Sequence, residues 1–205
     1  MLTENRKYVD ELLEASEMVL VGFGIELADG NRNEEILATY QAIAKKLEKK
    51  NYFVVTTNTD DLIYKSDFRE DRIVAPCGSI HRFQCSQACS NELYDTKLSQ
   101  CPKCGAELCE NTVKSEKYIE DGYKPQWEKY MKWLTGTLNH KLCVLEVGVL
   151  FDYPTVIRWA FERTTFINQK ATLVRINHKI PQLSEELKDK GKSINCHPIH
   201  FFTES

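Results

Sequence analysis

Residues 18–24 read Met-Val-Leu-Val-Gly-Phe-Gly, an apolar run that ends in two glycines separated by one aromatic residue. A short apolar run bounded by a turn signal is typical of a buried β-strand. Glycines directly after such a strand allow a phosphate to approach backbone N–H groups, although by themselves they more often mark only a turn. The run therefore predicts a central strand that leads into a candidate binding loop.

Helical and strand patterns alternate on both sides of this run. Helices are predicted over residues 5–16, 34–50, 126–138, 155–163 and 181–190, and further strands over residues 52–57, 72–75, 142–148, 172–177 and 193–199. Strands that alternate with helices are typical of a parallel sheet. We expect an α/β fold with a Rossmann-like parallel sheet, helices on both faces and a small zinc-binding insert.

The composition is that of an ordinary globular protein and excludes several functions. The 205 residues carry a net charge of -3, with 42% hydrophobic and 28% charged residues, enough for one core with at most a small insert. No basic surplus is present to neutralise nucleic-acid phosphates, and no apolar run approaches the roughly 20 residues of a membrane span. We expect a cytoplasmic protein whose eight cysteines are reduced thiols or metal ligands.

Cysteines concentrate where the apolar runs stop. Cys85 and Cys89 are separated by three residues, and Cys101 and Cys104 by two, with Gly105 directly after them. Zinc takes four tetrahedral ligands, and two close cysteines can hold one ion from a tight turn. Four sulfur ligands leave no open position, so the sequence predicts a structural zinc ion rather than a catalytic one.

Two further residues remain as alternative ligands. Cys109 and His81 lie near the cysteine pairs, but neither completes a pair, so we rank them below the other four. We expect residues 81–112 to form the zinc-binding module, and residues 1–80 and 113–205 to form the Rossmann-like domain.

Several short motifs share one order along the chain. Val21-Gly-Phe-Gly-Ile25 is followed by Thr57-Asn-Thr-Asp60, and then by Cys77-Gly-Ser79 directly before the cysteine pairs. Gly148 ends a later strand, and Val174-Arg-Ile-Asn177 ends another. In this order and spacing the chain resembles the sirtuin (Sir2) family over roughly residues 18–177.

The resemblance implies NAD or ADP-ribose lying across the ends of the parallel strands, beside a small zinc-binding domain. It places one group of residues near the pyrophosphate, a second near nicotinamide and its ribose, and a third near the adenosine half. These groups are Gly22, Phe23 and Gly24; Asn58 and Asp60; and Gly148 and Asn177. For Asn58 and Asp60, capping of a strand end is the alternative role.

The chain departs from the family where the chemistry is done. Cys77 stands at the position of the family's general-base histidine, and is interpreted either as a nucleophile or as a small buried side chain. The family's acyl-lysine loop has no counterpart between Cys104 and Gly148. Glu26 replaces the serine of the glycine loop and brings a carboxylate close to the expected pyrophosphate. The chain thus resembles a diverged, bacterial-type sirtuin.

Three functions follow from these features. The first is a sirtuin-like NAD-dependent protein deacylase or ADP-ribosyl transferase, with Asn58, Asp60 and Cys77 as catalytic candidates. The sequence leaves open whether Arg32 or His81 replaces a lost catalytic group. The second is a non-catalytic module that senses or docks through NAD or ADP-ribose, and the third is a purely structural zinc protein. The expected partners are a dinucleotide and a protein substrate or partner, without nucleic acid or membrane.

Overall fold

The structure, a computed structural model, describes residues 1–204 of the chain. Its strands are β1 (Met18–Phe23), β2 (Asn51–Thr56), β3 (Ile73–Val74), β4 (Gly78–Cys85), β5 (Leu93–Tyr94), β6 (Leu108–Thr112), β7 (Leu142–Val147), β8 (Ala171–Asn177) and β9 (Gly191–Asn195). Its helices are α1 (Leu2–Ala15), α2 (Asn33–Leu47), α3 (Lys124–Thr135), α4 (Arg158–Ile167) and α5 (Pro198–Thr203). Within residues 1–204, no helix is long and apolar enough to cross a membrane.

Six strands form one parallel sheet in the order β3-β2-β1-β7-β8-β9. Every residue of β1 and β7 is buried, which explains why β1 reads as an apolar run and β7 as an apolar run interrupted by Glu146, rather than as alternating patterns. The chain passes from β1 to β2 on one side and from β7 to β8 on the other. The strand order therefore reverses between β1 and β7, where open α/β sheets bind their ligands.

Helices cover both faces of this sheet, as the sequence predicts. Helices α1, α2 and α5 pack on one face, and α3 and α4 pack on the other. Gly22 lies inside β1, where an added Cβ would come within 2.6 Å of Ile157 and Phe161 side-chain atoms. This glycine therefore lets α4 approach the sheet.

A second, antiparallel sheet has the order β5-β4-β6. Its apolar centre is small, with only Cys85, Cys101 and Leu108 fully buried among the described residues. So few apolar contacts cannot offset the conformational entropy of ordering such a segment. The small sheet thus requires a further source of stability, which the cysteines can supply.

Two sequence predictions near the C-terminus are wrong. Residues 181–190 form only a short 3-10 turn, Glu185–Leu187, rather than a helix, because the Arg158 guanidinium holds the carbonyl groups of Ile180 and Gln182. The last strand ends at Asn195 rather than residue 199, since Pro198 cannot donate to a ladder and instead begins α5.

An ionic cluster lies inside the sheet, beneath α4. Glu146 on β7 and Arg175 on β8 are opposite each other in register, and both are 0% exposed. The Arg175 Nε lies 2.7 Å from Glu146 Oε1, and its Nη2 lies 2.7 Å from Glu162 Oε1. Arg158 approaches Glu146 Oε1 at 3.4 Å. Two arginines and two carboxylates therefore balance one another, and Glu162 is the only member of the four that is partly exposed.

We predict that Arg175→Met destabilises the protein by about 3–5 kcal/mol, because the Glu146 carboxylate is then left buried without its main partner. The control is Lys46→Met, which removes the partly exposed ion pair between Lys46 and Asp10 and should cost less than about 1 kcal/mol. Urea unfolding followed by circular dichroism measures both. Equal losses in the two variants would contradict a structural role for the cluster.

Candidate functional site

The polar and glycine positions singled out in the sequence lie along one edge of the main sheet. Gly24 follows β1, Asn58 follows β2, Gly148 follows β7, and Asn177 ends β8. These strands are parallel, so their carboxyl ends lie together. The result is a candidate binding crevice at the reversal of strand order, which is the general ligand position in such sheets.

The loops after β1 and β7 touch each other through backbone. An added Cβ on Gly24 would lie 2.4 Å from Val149 Cα and 2.7 Å from the Gly148 carbonyl oxygen. Gly148 itself has a φ of 65° and faces the Glu26 Cβ at 2.8 Å from its own ideal Cβ. Any side chain at either position would separate the loops, so these two glycines shape the crevice.

The side chain of Asn58 holds the loop that follows β1. Its Nδ2 donates to the Leu27 carbonyl oxygen at 2.9 Å and to the Tyr40 hydroxyl at 3.1 Å. Asp60 accepts a hydrogen bond from the Leu62 N–H at 3.0 Å and caps the following turn. Burial raises the pKa of the Asp60 carboxyl, and this N–H partly opposes the shift. The Asp60 carboxyl thus caps a turn and also has a raised pKa.

Asn177 joins the loops at the ends of β7 and β8. Its Nδ2 donates to the Val149 carbonyl oxygen at 2.7 Å, and its Oδ1 accepts from the Lys179 and Ile180 N–H groups. The side chain is 0% exposed. It therefore fixes the shape of the crevice through hydrogen bonds within the protein.

The Glu26 carboxylate accepts hydrogen bonds from backbone N–H groups that directly follow β8. It accepts from the His178 N–H, at 3.2 Å to each oxygen, and from the Lys179 N–H at 3.2 Å. Only 8% of Glu26 is exposed, so water cannot replace these contacts. Consecutive N–H groups of this kind bind anions. The protein's own carboxylate holds that position here.

Two other residues that were predicted to contact the nucleotide, Phe23 and Gly22, face the protein interior instead. The Phe23 ring is buried against Tyr40 and Phe68, with ring centroids 4.8 and 5.8 Å away. Gly22 lies one residue inside the strand and faces α4. Gly24 is therefore the member of this group that reaches the crevice.

The catalytic alternatives are also separated by the fold. Cys77 is buried, and burial raises the pKa of its thiol to about 12, so the thiol stays protonated at neutral pH. His81 is exposed on β4. Arg32 forms a surface ion pair with Glu35, at 2.7 Å between Nη2 and Oε2.

The four predicted zinc ligands come together at the tip of the small sheet. The sulfur atoms of Cys85, Cys89, Cys101 and Cys104 all lie within 4.8 Å of one another. Four sulfurs at about 2.3 Å from one tetrahedral ion require separations of about 3.8 Å. Two of the observed separations are 3.4 and 3.5 Å. The cluster is therefore compatible with a structural zinc ion, and it includes neither Cys109 nor His81.

Backbone geometry prepares these thiols for a metal. The N–H of Cys89 points at the Cys85 sulfur and lowers the pKa of that thiol to about 6, and the N–H of Lys103 lowers the pKa of Cys101. Positive φ angles at Ala88 and Gly105 form the two turns. Neighbouring sulfurs raise the pKa of Cys89 and Cys104. Metals bind thiolates rather than thiols, so this geometry favours the metal-ligating form at Cys85 and Cys101.

A buried hydroxyl supports the same assignment. Tyr94 Oη is the one buried side-chain polar atom in residues 1–204 without a hydrogen-bond partner, and it lies close enough to Cys101 to interact with it. Buried polar atoms are normally satisfied. A metal-bound thiolate at Cys101 would accept this hydrogen.

The sequence did not lead us to predict the buried charged residues that hold the loops of the crevice. Arg158 on α4 donates to the Val149 carbonyl oxygen at 3.2 Å and to the Gln182 carbonyl oxygen at 3.3 Å. Its partner Glu146 interrupts the apolar run of β7, and Arg175 interrupts that of β8. A single charge inside each of two buried strands was the signal that could have identified the pair.

Comparisons with known proteins agree with this geometry. No protein-family model matches the chain. It is 24% identical over 173 residues to a protein ADP-ribosyltransferase from Staphylococcus aureus (strain Mu50 / ATCC 700699), in an alignment that covers 74% of this chain and 55% of that protein. The chain thus spans about half the length of this curated relative.

Solved Sir2 structures share the architecture over nearly the whole chain. A mutant Sir2 homologue in complex with ADP-ribose is 14% identical, with a TM-score of 0.63 over 97% of this chain and 94% of that one. Sir2Af2 bound to a myristoylated histone peptide is 18% identical, with a TM-score of 0.64 over 98% and 94%. The fold is therefore the Sir2 fold, as the motif order predicts.

We predict that the purified protein contains about one zinc ion per chain, and that Cys101→Ser together with Cys104→Ser removes it and lowers the melting temperature. Elemental analysis and thermal unfolding measure the two effects. Cys109→Ser is the matched control, because this thiol lies outside the cluster and its loss should leave the metal content unchanged. A folded wild-type protein without metal would contradict the assignment.

Proposed function

We propose that this chain binds NAD or ADP-ribose in the crevice at the carboxyl ends of β1, β2, β7 and β8, and that it acts as a Sir2-type NAD-dependent transferase. One observation carries the proposal. Gly24, Asn58, Gly148 and Asn177 lie together where the strand order reverses, in a chain that has the Sir2 fold. A nearby strand end also presents Asp60, a carboxylate with a raised pKa.

ADP-ribosyl transfer is the reaction that the relatives favour. The similar Staphylococcus aureus protein is an ADP-ribosyltransferase, whereas deacylation lacks the family's histidine and acyl-lysine loop here. In the transfer, the bond between nicotinamide and the ribose C1′ breaks, an acceptor nucleophile bonds to C1′, and the acceptor proton passes to a base. We assign this base to Asp60, because a carboxyl whose pKa is raised toward neutrality is suited to accept a proton.

Cys77 is less suited to the chemistry than Asp60. A thiol with a pKa of about 12 is not ionised at neutral pH, and the side chain is buried. We therefore assign a packing role to Cys77. Asn58 acts by positioning the loop after β1 through the Leu27 carbonyl oxygen.

The second candidate function is a sensor that binds ADP-ribose or NAD without cleaving it. The observation that favours it is the Glu26 carboxylate, which already occupies the N–H groups of His178 and Lys179. A protein that binds a dinucleotide only after this contact opens could report the ligand through a loop movement. Binding without nicotinamide release distinguishes this function from the transferase.

The transferase proposal predicts that NAD and ADP-ribose bind and that NAD is cleaved. Asp60→Asn, which keeps the side-chain size, should lower nicotinamide release at least about tenfold because the base is lost. Its affinity for ADP-ribose should change much less. Cys77→Ala should keep release close to the wild-type rate. Calorimetric titration and chromatographic detection of nicotinamide measure the two quantities on one sample.

The controls separate the two candidate functions. Glu48→Gln changes an exposed carboxylate outside the crevice and should affect neither quantity. Binding without nicotinamide release supports the sensor. A large loss of nicotinamide release in Cys77→Ala would show that Cys77 takes part in catalysis. If neither NAD nor ADP-ribose binds, the crevice is not a nucleotide site.

The position of Glu26 generates a separate prediction about affinity. A carboxylate on the N–H groups of His178 and Lys179 competes with a ligand phosphate for the same donors. Glu26→Gln should therefore strengthen ADP-ribose binding at least about fivefold, or about 1 kcal/mol, as measured by calorimetry. Glu34→Gln, on the exposed start of α2, is the control. Equal or weaker binding by Glu26→Gln would show that its carboxylate does not compete with the ligand.

A further inference from the structure

A cavity lies outside the crevice, at the junction of the main sheet, the small sheet and the segment before α3. This junction pocket encloses about 370 Å³. None of the predicted nucleotide-binding or catalytic residues lines it. Its charged and aromatic lining residues are Asp61, Tyr64, Glu70, Arg82, Tyr118 and Tyr123.

The charge of the pocket is negative. Asp61 and Glu70 contribute carboxylates, and Arg82 contributes the opposing positive charge. The Arg82 Nε lies 3.5 Å from Asp95 Oδ1, so this arginine already has a partner. Within residues 1–204, neither Asp61 nor Glu70 takes part in an ion pair with another side chain. These two carboxylates can therefore pair with a bound cation.

Hydrogen bonds hold the Asp61 carboxylate and backbone in place. Its φ is 57°, in the left-handed region that aspartate and asparagine adopt more readily than other non-glycine residues. The Ser79 hydroxyl donates to Asp61 Oδ2, and the Asp61 carbonyl oxygen accepts from the Tyr64 N–H at 3.1 Å. The Ser79 contact therefore fixes the Asp61 carboxylate in the lining of the cavity.

Aromatic rings line the cavity on two sides. Tyr118 and Tyr123 are stacked with centroids 6.2 Å apart and planes inclined by 17°. The Tyr118 hydroxyl donates to the Pro76 carbonyl oxygen at 3.0 Å, which fixes the pair. Tyr64 comes from the loop after β2 and is 39% exposed, although large aromatic side chains are usually more buried. Tyrosine faces attract cations within about 6 Å.

We propose that the junction pocket binds the guanidinium group of an arginine side chain on a protein partner. A guanidinium group is flat and weakly hydrated, so it stacks on tyrosine faces while its N–H groups reach carboxylates. The ammonium group of lysine is a compact and strongly hydrated charge. The cavity is near the small end of the range for ligand pockets, and therefore suits one side chain rather than a nucleotide.

The test is a titration of the wild-type protein with acetyl-Gly-Arg-Gly-amide, and with the same peptide carrying lysine or citrulline in place of arginine. Citrulline keeps the shape of the arginine side chain but lacks its charge. We expect the arginine peptide to bind at least about tenfold more tightly than the citrulline peptide, since an unpaired carboxylate gains a charge-assisted bond. Binding should weaken as salt is added.

Variants then locate the site. Asp61→Asn keeps the left-handed backbone, which asparagine tolerates, and should weaken binding at least about fivefold because a charge-assisted bond is lost. Arg82→Gln should strengthen binding, since it removes the like charge from the lining. Asp67→Asn, an exposed residue on the same loop, is the matched control and should change nothing.

Three results would overturn the proposal: equal binding of the arginine and citrulline peptides, equal binding of the lysine peptide, or undiminished binding by a folded Asp61→Asn variant. The experiment uses no dinucleotide, so its outcome is independent of the crevice. Glu26→Gln should leave peptide binding unchanged, which separates a failure of this site from a failure of the transferase proposal.

Discussion

The backbone contact between Gly24 and the Gly148–Val149 peptide is the constraint on which the carboxyl edge of the main sheet depends. It joins the loops after the two central strands, and the Glu26 N–H donates to the Gly148 carbonyl oxygen at 3.1 Å. The path of this loop places the Glu26 carboxylate on the N–H groups after β8. Asparagines on both sides, Asn58 and Asn177, fix the loop positions by hydrogen bonds.

Local patterns predicted the features that depend on neighbouring residues. The central strands could be predicted because burial on both faces makes them largely apolar, and the four thiols because each pair forms one turn around an ion. The ionic cluster was missed, because Glu146 and Arg175 are 29 residues apart and meet only through strand pairing, and its one local sign is a single charge in each buried strand. Residues 181–190 resemble a helix, but a guanidinium group from α4 takes carbonyl groups at the start of this segment. Gly22 resembles a phosphate contact, and its position serves helix packing instead.

The crevice and the junction pocket present opposite electrostatics to a ligand. In the crevice, backbone N–H groups favour an anion, and the Glu26 carboxylate supplies one from within the protein. In the proposed function a ligand phosphate competes with this carboxylate, so the apparent affinity is the intrinsic affinity multiplied by the fraction of molecules in which the carboxylate has moved away. In the junction pocket, the Asp61 and Glu70 carboxylates exceed the single charge of Arg82. The proposed dinucleotide and basic protein partner would therefore bind at different sites.

The burial of Cys77 determines which group can accept a proton in the proposed transferase. A thiol whose pKa is about 12 cannot take this role at neutral pH. Asp60 follows β2, and burial raises the pKa of its carboxyl. A carboxylate with a raised pKa is a stronger base, so the same burial that keeps the thiol protonated favours proton transfer to Asp60. A cysteine at position 77 is therefore compatible with the proposed NAD cleavage, provided that the acceptor approaches from the side of Asp60.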